Sequence, residues 1–325
     1  MKRSTLSEPV AEKENFFALR NGSRPTTMGK EIGCFENFNK AITSDEAVSQ
    51  KYLLETQEGI DAKTLHNIFN YLKYITRNEN HPSPFYMKKQ TDIDSTMRAI
   101  LIDWLIDVTC KFKMRPQIIF MTVRIIDRYL STSVVSQKKL QLVGVAALMI
   151  IGKFEEIYPP MLKDYLSVCC NIYSTAEILA MEGEILIKLG FEVNKPSPYS
   201  FLELFKRLQG LEEKTFAFCQ YFLEVSLLDV GHLVYSPEQL AAGSIYLVNK
   251  LLKRSSWSDA LQMHTGVCET EAKTCAKDIF SILEKVDKSQ LKGVMRKYQS
   301  SKFFCISKYK IERISAEGSR KTPHI

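Results

Sequence analysis

Two tandem five-helix units behind a single N-terminal helix make up the all-α fold that this sequence predicts, and three observations carry the prediction. From Ser95 to about Val286, apolar residues recur at three- and four-residue steps in long segments, with no run that alternates as a strand does. Short polar joints holding proline, glycine or a capping residue part the segments. The second half of this body then repeats the plan of the first, and such a repeat decides the fold.

The chain has 325 residues, room for two domains or one with an internal repeat at about 100 to 200 residues each. Its 45% hydrophobic and 25% charged residues are an ordinary globular mixture. The formal charge of +7 fits a solvated surface and does not single out nucleic acid as a partner. Eight cysteines include no C-x-x-C pair, so reduced thiols are expected and structural zinc is not. No charge-free stretch reaches the ~18 apolar residues of a membrane span. The opening "MKRSTLSEPVAEKENFF" also lacks the apolar region of a signal peptide. The expectation is a soluble intracellular protein with no cofactor and no membrane partner.

Residues 1–60, rich in Ser, Thr, Asn, Glu and Lys, read as a mostly disordered leader. An N-terminal helix and connector occupy 61–94. From Asp61 to Arg77, Leu65, Ile68, Phe69, Leu72 and Ile75 share one helical face. The prolines of "ENHPSPFYMKKQTDID" then stop the helix and force an extended link. The first unit spans 95–194. Its first helix holds "MRAILIDWL", apolar almost all round yet carrying Arg98 and Asp103. Pro116 opens the second helix, and Ser136 caps a third that runs to Pro159 and Pro160. "MLKDYLSVC" is a short fourth, and a Ser174–Glu177 capping box starts a fifth that ends at Gly190.

The second unit, 195–312, answers the first and leaves 313–325 as a flexible tail. "YSFLELFKRL" corresponds to the first helix and "AFCQYFLEVSLLDV" to the second. "SPEQLAAGSIYLVNKLL" corresponds to the third and "EAKTCAKDIFSILEKV" to the fifth. Ser197-Pro198 and Ser236-Pro237 read as helix starts. Val143-Gly144-Val145 aligns with Ala242-Gly243-Ser244, small residues that let neighbouring helices come close.

In this order, "MRAILIDWL", "DRYLS", "KLQLVG", "KFEEIYPP" and "LGF" resemble the cyclin box, and the likeness runs from about residue 60 to 310. "YMKKQTDID" upstream and "KYQSSKFF" downstream are more similar to B-type, mitotic cyclins than to G1 cyclins. The resemblance implies a non-catalytic activator that binds a cyclin-dependent kinase and drives the G2/M transition from nucleus and cytoplasm. Lys153 and Glu182 match family positions that hydrogen-bond the kinase around its regulatory helix. The same two residues also fit an ordinary exposed ion pair. Ile150, Phe154, Leu186, Phe191 and Val193 match the apolar part of that surface. Glu155, Glu156 and Ile157 match positions close to the kinase activation segment, where an acid meets an arginine.

Asp127 matches the family aspartate that pairs with Arg98 inside the fold. Met97, Ile100, Leu101 and Trp104 lie at steps of three and four, with Asp107 on their edge. With Leu140 and Gln141 they match the family's docking patch for substrates and inhibitors carrying R-x-L. Aspartate stands at Asp107 where the family usually has glutamate, one methylene longer. In the leader, Lys13-Glu14-Asn15 resembles a KEN box, and Arg3 to Leu6, "RSTL", resembles a minimal destruction-box core. Both are signals read by the anaphase-promoting ubiquitin ligase, and a disordered leader would expose them.

One alternative stays open at this stage, a DNA-binding factor of the transcription factor IIB type, which also carries two cyclin-like repeats. An enzyme is not expected, because no Gly-rich phosphate loop, nucleophile arrangement or metal-ligand cluster stands out.

Overall fold

A computed structural model describes residues 62–77, 81–255 and 257–309. Helix α1 (Ala62–Arg77) precedes a first bundle of α2 (Ser95–Lys111), α3 (Gln117–Thr132), α4 (Gln137–Glu155), α5 (Leu162–Val168) and α6 (Thr175–Lys188). The second bundle comprises α7 (Pro198–Gln209), α8 (Glu213–Ser226), α9 (Pro237–Leu251), α10 (Asp259–Thr265) and α11 (Glu269–Lys288), and a short α12 (Gly293–Tyr298) follows. No strand occurs among the described residues. The second bundle thus has a counterpart, α10, for the fourth helix that the repeat alignment had left unassigned.

The third helix is the axis of each bundle. Every residue of α4 from Leu142 to Gly152, and of α9 from Leu240 to Asn249, is buried. Such helices are apolar on all sides because neighbours surround them: α2, α3, α5 and α6 pack on α4, while α7, α8 and α11 pack on α9. The aligned glycines mark close approaches. A Cβ on Gly144 would stand 2.7 Å from Leu101 Cδ1, and one on Gly243 would stand 2.8 Å from the Cβ of Cys275.

Capping chemistry sets most helix starts. Ser174 Oγ accepts from the Glu177 amide at 3.2 Å while the Glu177 carboxylate accepts from the Ser174 amide at 2.8 Å. Ser236 and Gln239 form the same reciprocal box, and Ser197 Oγ accepts from the Ser200 amide. Two termini differ from expectation. Ser136 occupies the N-cap position of α4 but its side chain makes no capping bond; the Gln137 amide donates instead to Asp92 Oδ2, 45 residues earlier, at 2.8 Å. Helix α4 also ends at Glu155, ahead of the prolines, because Glu156 turns extended and its carboxylate accepts from the Arg115 amide at 2.8 Å.

The connector is less extended than its prolines suggested. It contains a 3₁₀ turn, Tyr86–Lys89, and the polar residues after it fasten the first bundle. Gln90 donates to the carbonyls of Leu130 and Ser133 and accepts from the Val135 amide, closing off the end of α3. Asp92 supplies the cap of α4, and Asp94 caps α2 by accepting from the Met97 amide. Each carboxylate also faces the positive end of a helix dipole.

Helix α1 docks on the second bundle, where Phe69 lies 6.0 Å, centroid to centroid, from both Phe201 and Phe205. Leu65 and Phe69 are buried, but Ile68 is exposed, since it lies at the edge of the stripe rather than its centre. At the other end of the chain, α12 packs against both α2 and α8 and so ties the two bundles together.

Candidate partner-binding surface

The geometry of α2 follows from one buried cluster. Arg98 and Asp127 are both 0% exposed and pair in a two-pronged arrangement, Nε to Oδ1 and Nη2 to Oδ2, each 2.7 Å. Tyr86 donates its hydroxyl to Asp127 Oδ1 at 2.7 Å, and Arg98 Nη1 donates to the Leu227 carbonyl of the second bundle at 2.9 Å. Burial alone works against the guanidinium's charge, but the Asp127 carboxylate and Tyr86 outweigh it and hold Arg98 above its ordinary range. Burial first, then the adjacent carboxylate, pushes the Tyr86 hydroxyl well above its usual range. The cluster joins connector, first bundle and second bundle at one point.

The near-complete apolar ring of "MRAILIDWL" reflects burial on nearly every side. α3 and α4 pack against α2 within the first bundle, and α12 covers it from the second. Leu101 and Leu140, expected to line an open docking patch, are buried instead: Leu101 fills the space that Gly144 leaves vacant. Ile100 is 55% exposed, while Met97, Trp104 and Gln141 are half-buried. The open apolar surface here is therefore narrower than seven residues, with Ile100 at its centre.

Asp107 is already paired. Arg296 of α12 donates Nη2 to Asp107 Oδ2 and Nε to Oδ1, the latter at 3.3 Å. Asp103, one turn earlier, is buried and accepts from the amides of Lys292 and Gly293 at 3.1 and 2.8 Å, fixing the start of α12. Burial raises the Asp103 carboxyl above its ordinary range, although those amide bonds oppose the rise. A Cβ on Gly293 would lie 2.4 Å from the Asp103 carbonyl oxygen, so only glycine fits this approach.

A second surface lies where α4 ends beside α6. Lys153 Nζ donates to both carboxylate oxygens of Glu182, at 2.7 and 3.0 Å. Phe154 and Phe191 are exposed rather than core. Ile157 is 86% exposed, Leu186 and Val193 are half-buried, and Ile150 is buried, so Ile150 belongs to the packing beneath the surface. Phe191, just beyond Gly190, adopts a left-handed backbone with φ of 60°, which is unfavourable for an aromatic residue.

Glu155 and Glu156 are engaged within the chain. Gln117 donates to Glu155, and the Arg115 guanidinium lies 3.5 Å from Glu155 and 3.8 Å from Glu156. The arginine beside these acids in the structure is thus the chain's own. Tyr158 at 92% exposure, Ile187 at 75%, and the exposed Leu179 extend the apolar surface beyond the residues expected. For Leu179 and Ile187 the signal was available in "AEILAMEGEILIKL", which carries more apolar residues than the single stripe of Ile178, Met181 and Ile185 needs. Among the described residues no group of three or more His, Cys, Asp or Glu is placed to hold a metal, and no helix is long and apolar enough to cross a membrane. The KEN-like Lys13-Glu14-Asn15 and the Arg3 to Leu6 stretch lie outside the described residues.

Two helical bundles in tandem, stiffened by a buried ion-pair cluster and exposing apolar side chains beside the Lys153–Glu182 pair, define an all-α scaffold. Residues 67–194 match the cyclin N-terminal domain and residues 196–312 the cyclin C-terminal domain. The chain is 34% identical over 307 residues to the G2/mitotic-specific cyclin-A of Hydra viridissima, covering 91% of this chain and 71% of that one. It is 40% identical over 222 residues to Cyclin-B1-3 of Arabidopsis thaliana, covering 68% of this chain and 53% of that one. The chain belongs to the cyclin family, with B-type and G2/mitotic cyclins among its relatives. It spans about half to two thirds of the length of several plant B1 cyclins that it matches. A viral cyclin from herpesvirus saimiri shares the fold, with a TM-score of 0.60 at 18% identity over 67% of this chain and 96% of that one.

Proposed function

We propose that this chain is the regulatory, non-catalytic subunit of a cyclin-dependent serine/threonine kinase acting at the G2/M transition. The observation that carries the reading is the Lys153–Glu182 pair beside the exposed Phe154, Ile157, Ile187 and Phe191. A large open apolar patch with a few fixed polar groups is what a protein partner buries. Membership of the cyclin family, and the G2/mitotic designation of a relative, support the kinase as that partner.

The mechanism is a population shift. A kinase needs its internal Lys–Glu ion pair formed and its activation loop placed before phosphoryl transfer. A rigid surface that binds only that arrangement favours it by its differential affinity. Lys153 and Glu182 would exchange their mutual bond for hydrogen bonds to the kinase around its regulatory helix. Phe154, Ile157, Leu186, Phe191 and Val193 would supply the apolar burial, with Tyr158 and Ile187 added from the structure. The patch around Ile100 would recruit R-x-L substrates and inhibitors. Lys13-Glu14-Asn15, and Arg3 with Leu6, would bring the anaphase-promoting ubiquitin ligase.

The test is to mix the purified chain with a monomeric cyclin-dependent kinase and follow histone phosphorylation. Activation is expected, and Lys153→Ala or Glu182→Ala should weaken kinase binding by about 2–5 kcal/mol, as when one partner of an interfacial charge pair is lost. Duplex DNA binding without kinase activation would instead favour the transcription-factor alternative. Ile100→Ser should leave kinase binding intact and reduce phosphorylation of docking-dependent substrates. It is a cleaner probe than Met97→Ala with Trp104→Ala, because Met97 and Trp104 also pack on the core.

A further inference from the structure

Asp107 stands three residues after Trp104 and seven after Ile100, on the edge of the exposed part of α2. It is the acid that an incoming peptide cation would meet there. In the structure a cation from the same chain already meets it: Arg296 approaches with two nitrogens, one to each carboxylate oxygen. Arg–carboxylate pairs of this forked kind are stronger and more directional than a single contact.

A surface ion pair by itself holds little, since ordering two long side chains cancels much of the attraction. This one differs in how its arginine is mounted. Ahead of Arg296, the amides of Lys292 and Gly293 are bound to the buried carboxylate of Asp103, and Gly293 sits against the α2 backbone with no room for a Cβ. After it, Lys297 Nζ and the Tyr298 hydroxyl both donate to Glu224 Oε1, whose side chain is fully buried. Tyr298 is itself fully buried, with its ring 4.7 Å from that of Phe303. Arg296 therefore projects from a six-residue helix that is held at both ends. Much of the entropy cost of placing it beside Asp107 is met by the fold rather than by the pair.

We infer that Arg296 is a specificity-determining residue of this patch: it occupies Asp107 in place of a peptide arginine, so the patch selects its peptides by apolar side chains and gives arginine little preference. The inference rests on the docking reading above and deepens it. A peptide leucine still finds Ile100 and the half-buried Met97 and Trp104. A peptide arginine has to displace Arg296 before it gains a carboxylate, and during the exchange the two guanidinium groups repel. Asp107 is consequently neutralised from within, whatever the length of its side chain.

Fluorescence anisotropy with two labelled peptides, one carrying R-x-L and the other the same sequence with A-x-L, tests this on the full chain. For the unaltered chain the two affinities should agree within about twofold. Arg296→Ala should open the ratio to about three- to fivefold in favour of R-x-L, the range of an exposed ion pair. Arg296→Lys keeps a cation in place and should stay near the unaltered ratio. Adding Asp107→Ala to Arg296→Ala should return the ratio to about one, closing a double-mutant cycle. A clear arginine preference in the unaltered chain that Arg296→Ala leaves unchanged would overturn the inference while the docking reading stands. Absence of binding by either peptide to any of these proteins would overturn the docking reading and the inference with it.

Discussion

Replacing Asp127 with asparagine keeps its shape and removes its charge, and the structure makes the consequence calculable. Arg98 would remain fully buried with its charge uncompensated, because the Leu227 carbonyl it also donates to is neutral. Of the two charge-assisted bonds of 2.7 Å, one would weaken and the other would be lost, since an amide nitrogen donates and cannot accept, and the Tyr86 hydroxyl would face a poorer acceptor. Breaking a buried pair from one side costs about 3–5 kcal/mol. Against the roughly 5–15 kcal/mol that a domain of this kind has in total, that is between about a fifth and the whole of its stability. Urea denaturation would show this as a lower midpoint with an unchanged m-value. A complementary replacement, Arg98→Met with Asp127→Leu and Tyr86→Phe, should cost far less, since no charge is then left stranded. The reasoning fails if Asp127→Asn unfolds within about 1 kcal/mol of the unaltered chain, a loss no larger than that of an ordinary hydrogen bond.

Three further outcomes follow from the packing and the caps. Gly243→Ala should destabilise by about 1–3 kcal/mol and by more than Gly144→Ala, because it meets the Cβ of Cys275, rooted in the backbone, whereas Gly144 faces the movable end of Leu101; paired melting curves check the order. Ser174→Ala removes one half of the capping box of α6 and should cost about 1 kcal/mol, seen as a lower melting temperature. His232 is held below the ordinary histidine range by burial and by Arg98, against the opposing pull of Asp127, the Asp229 carbonyl and the Asp229 carboxylate. A histidine with a lowered folded pKa is protonated first in the unfolded chain, so stability should fall as pH drops below about 6.5. Equilibrium unfolding between pH 7.5 and 5 should show that slope, and His232→Gln should reduce it, leaving the part that His81 and His264, also held below the ordinary range by burial, contribute.

How much the residues reveal in advance depends on how local the physics is. The boxes at Ser174 and Ser236 were legible because donor and acceptor lie three residues apart. The cap of α4 was not, because it comes from Asp92 across 45 residues. Gly144 and Gly243 stood out as small residues inside apolar helices, and packing explains both. In contrast, Leu101 and Leu140 looked like a surface patch because a helical wheel shows which residues share a face and not what covers that face. The spacing of Phe154 and Phe191 likewise does not say whether they are core or surface, and the fold exposes both.

From the sequence by itself came the all-α class, the tandem repeat, the helix starts with local caps and the cyclin-box likeness, since each is written in short-range spacing or in motif order. Only the tertiary structure decided which apolar residues stay open, that Glu155 and Glu156 turn to Arg115, and that Arg296 stands on Asp107. These last depend on contacts between segments up to 189 residues apart. Burial and charge pairing over such distances are properties of the packed chain, and periodicity along one helix carries no record of them.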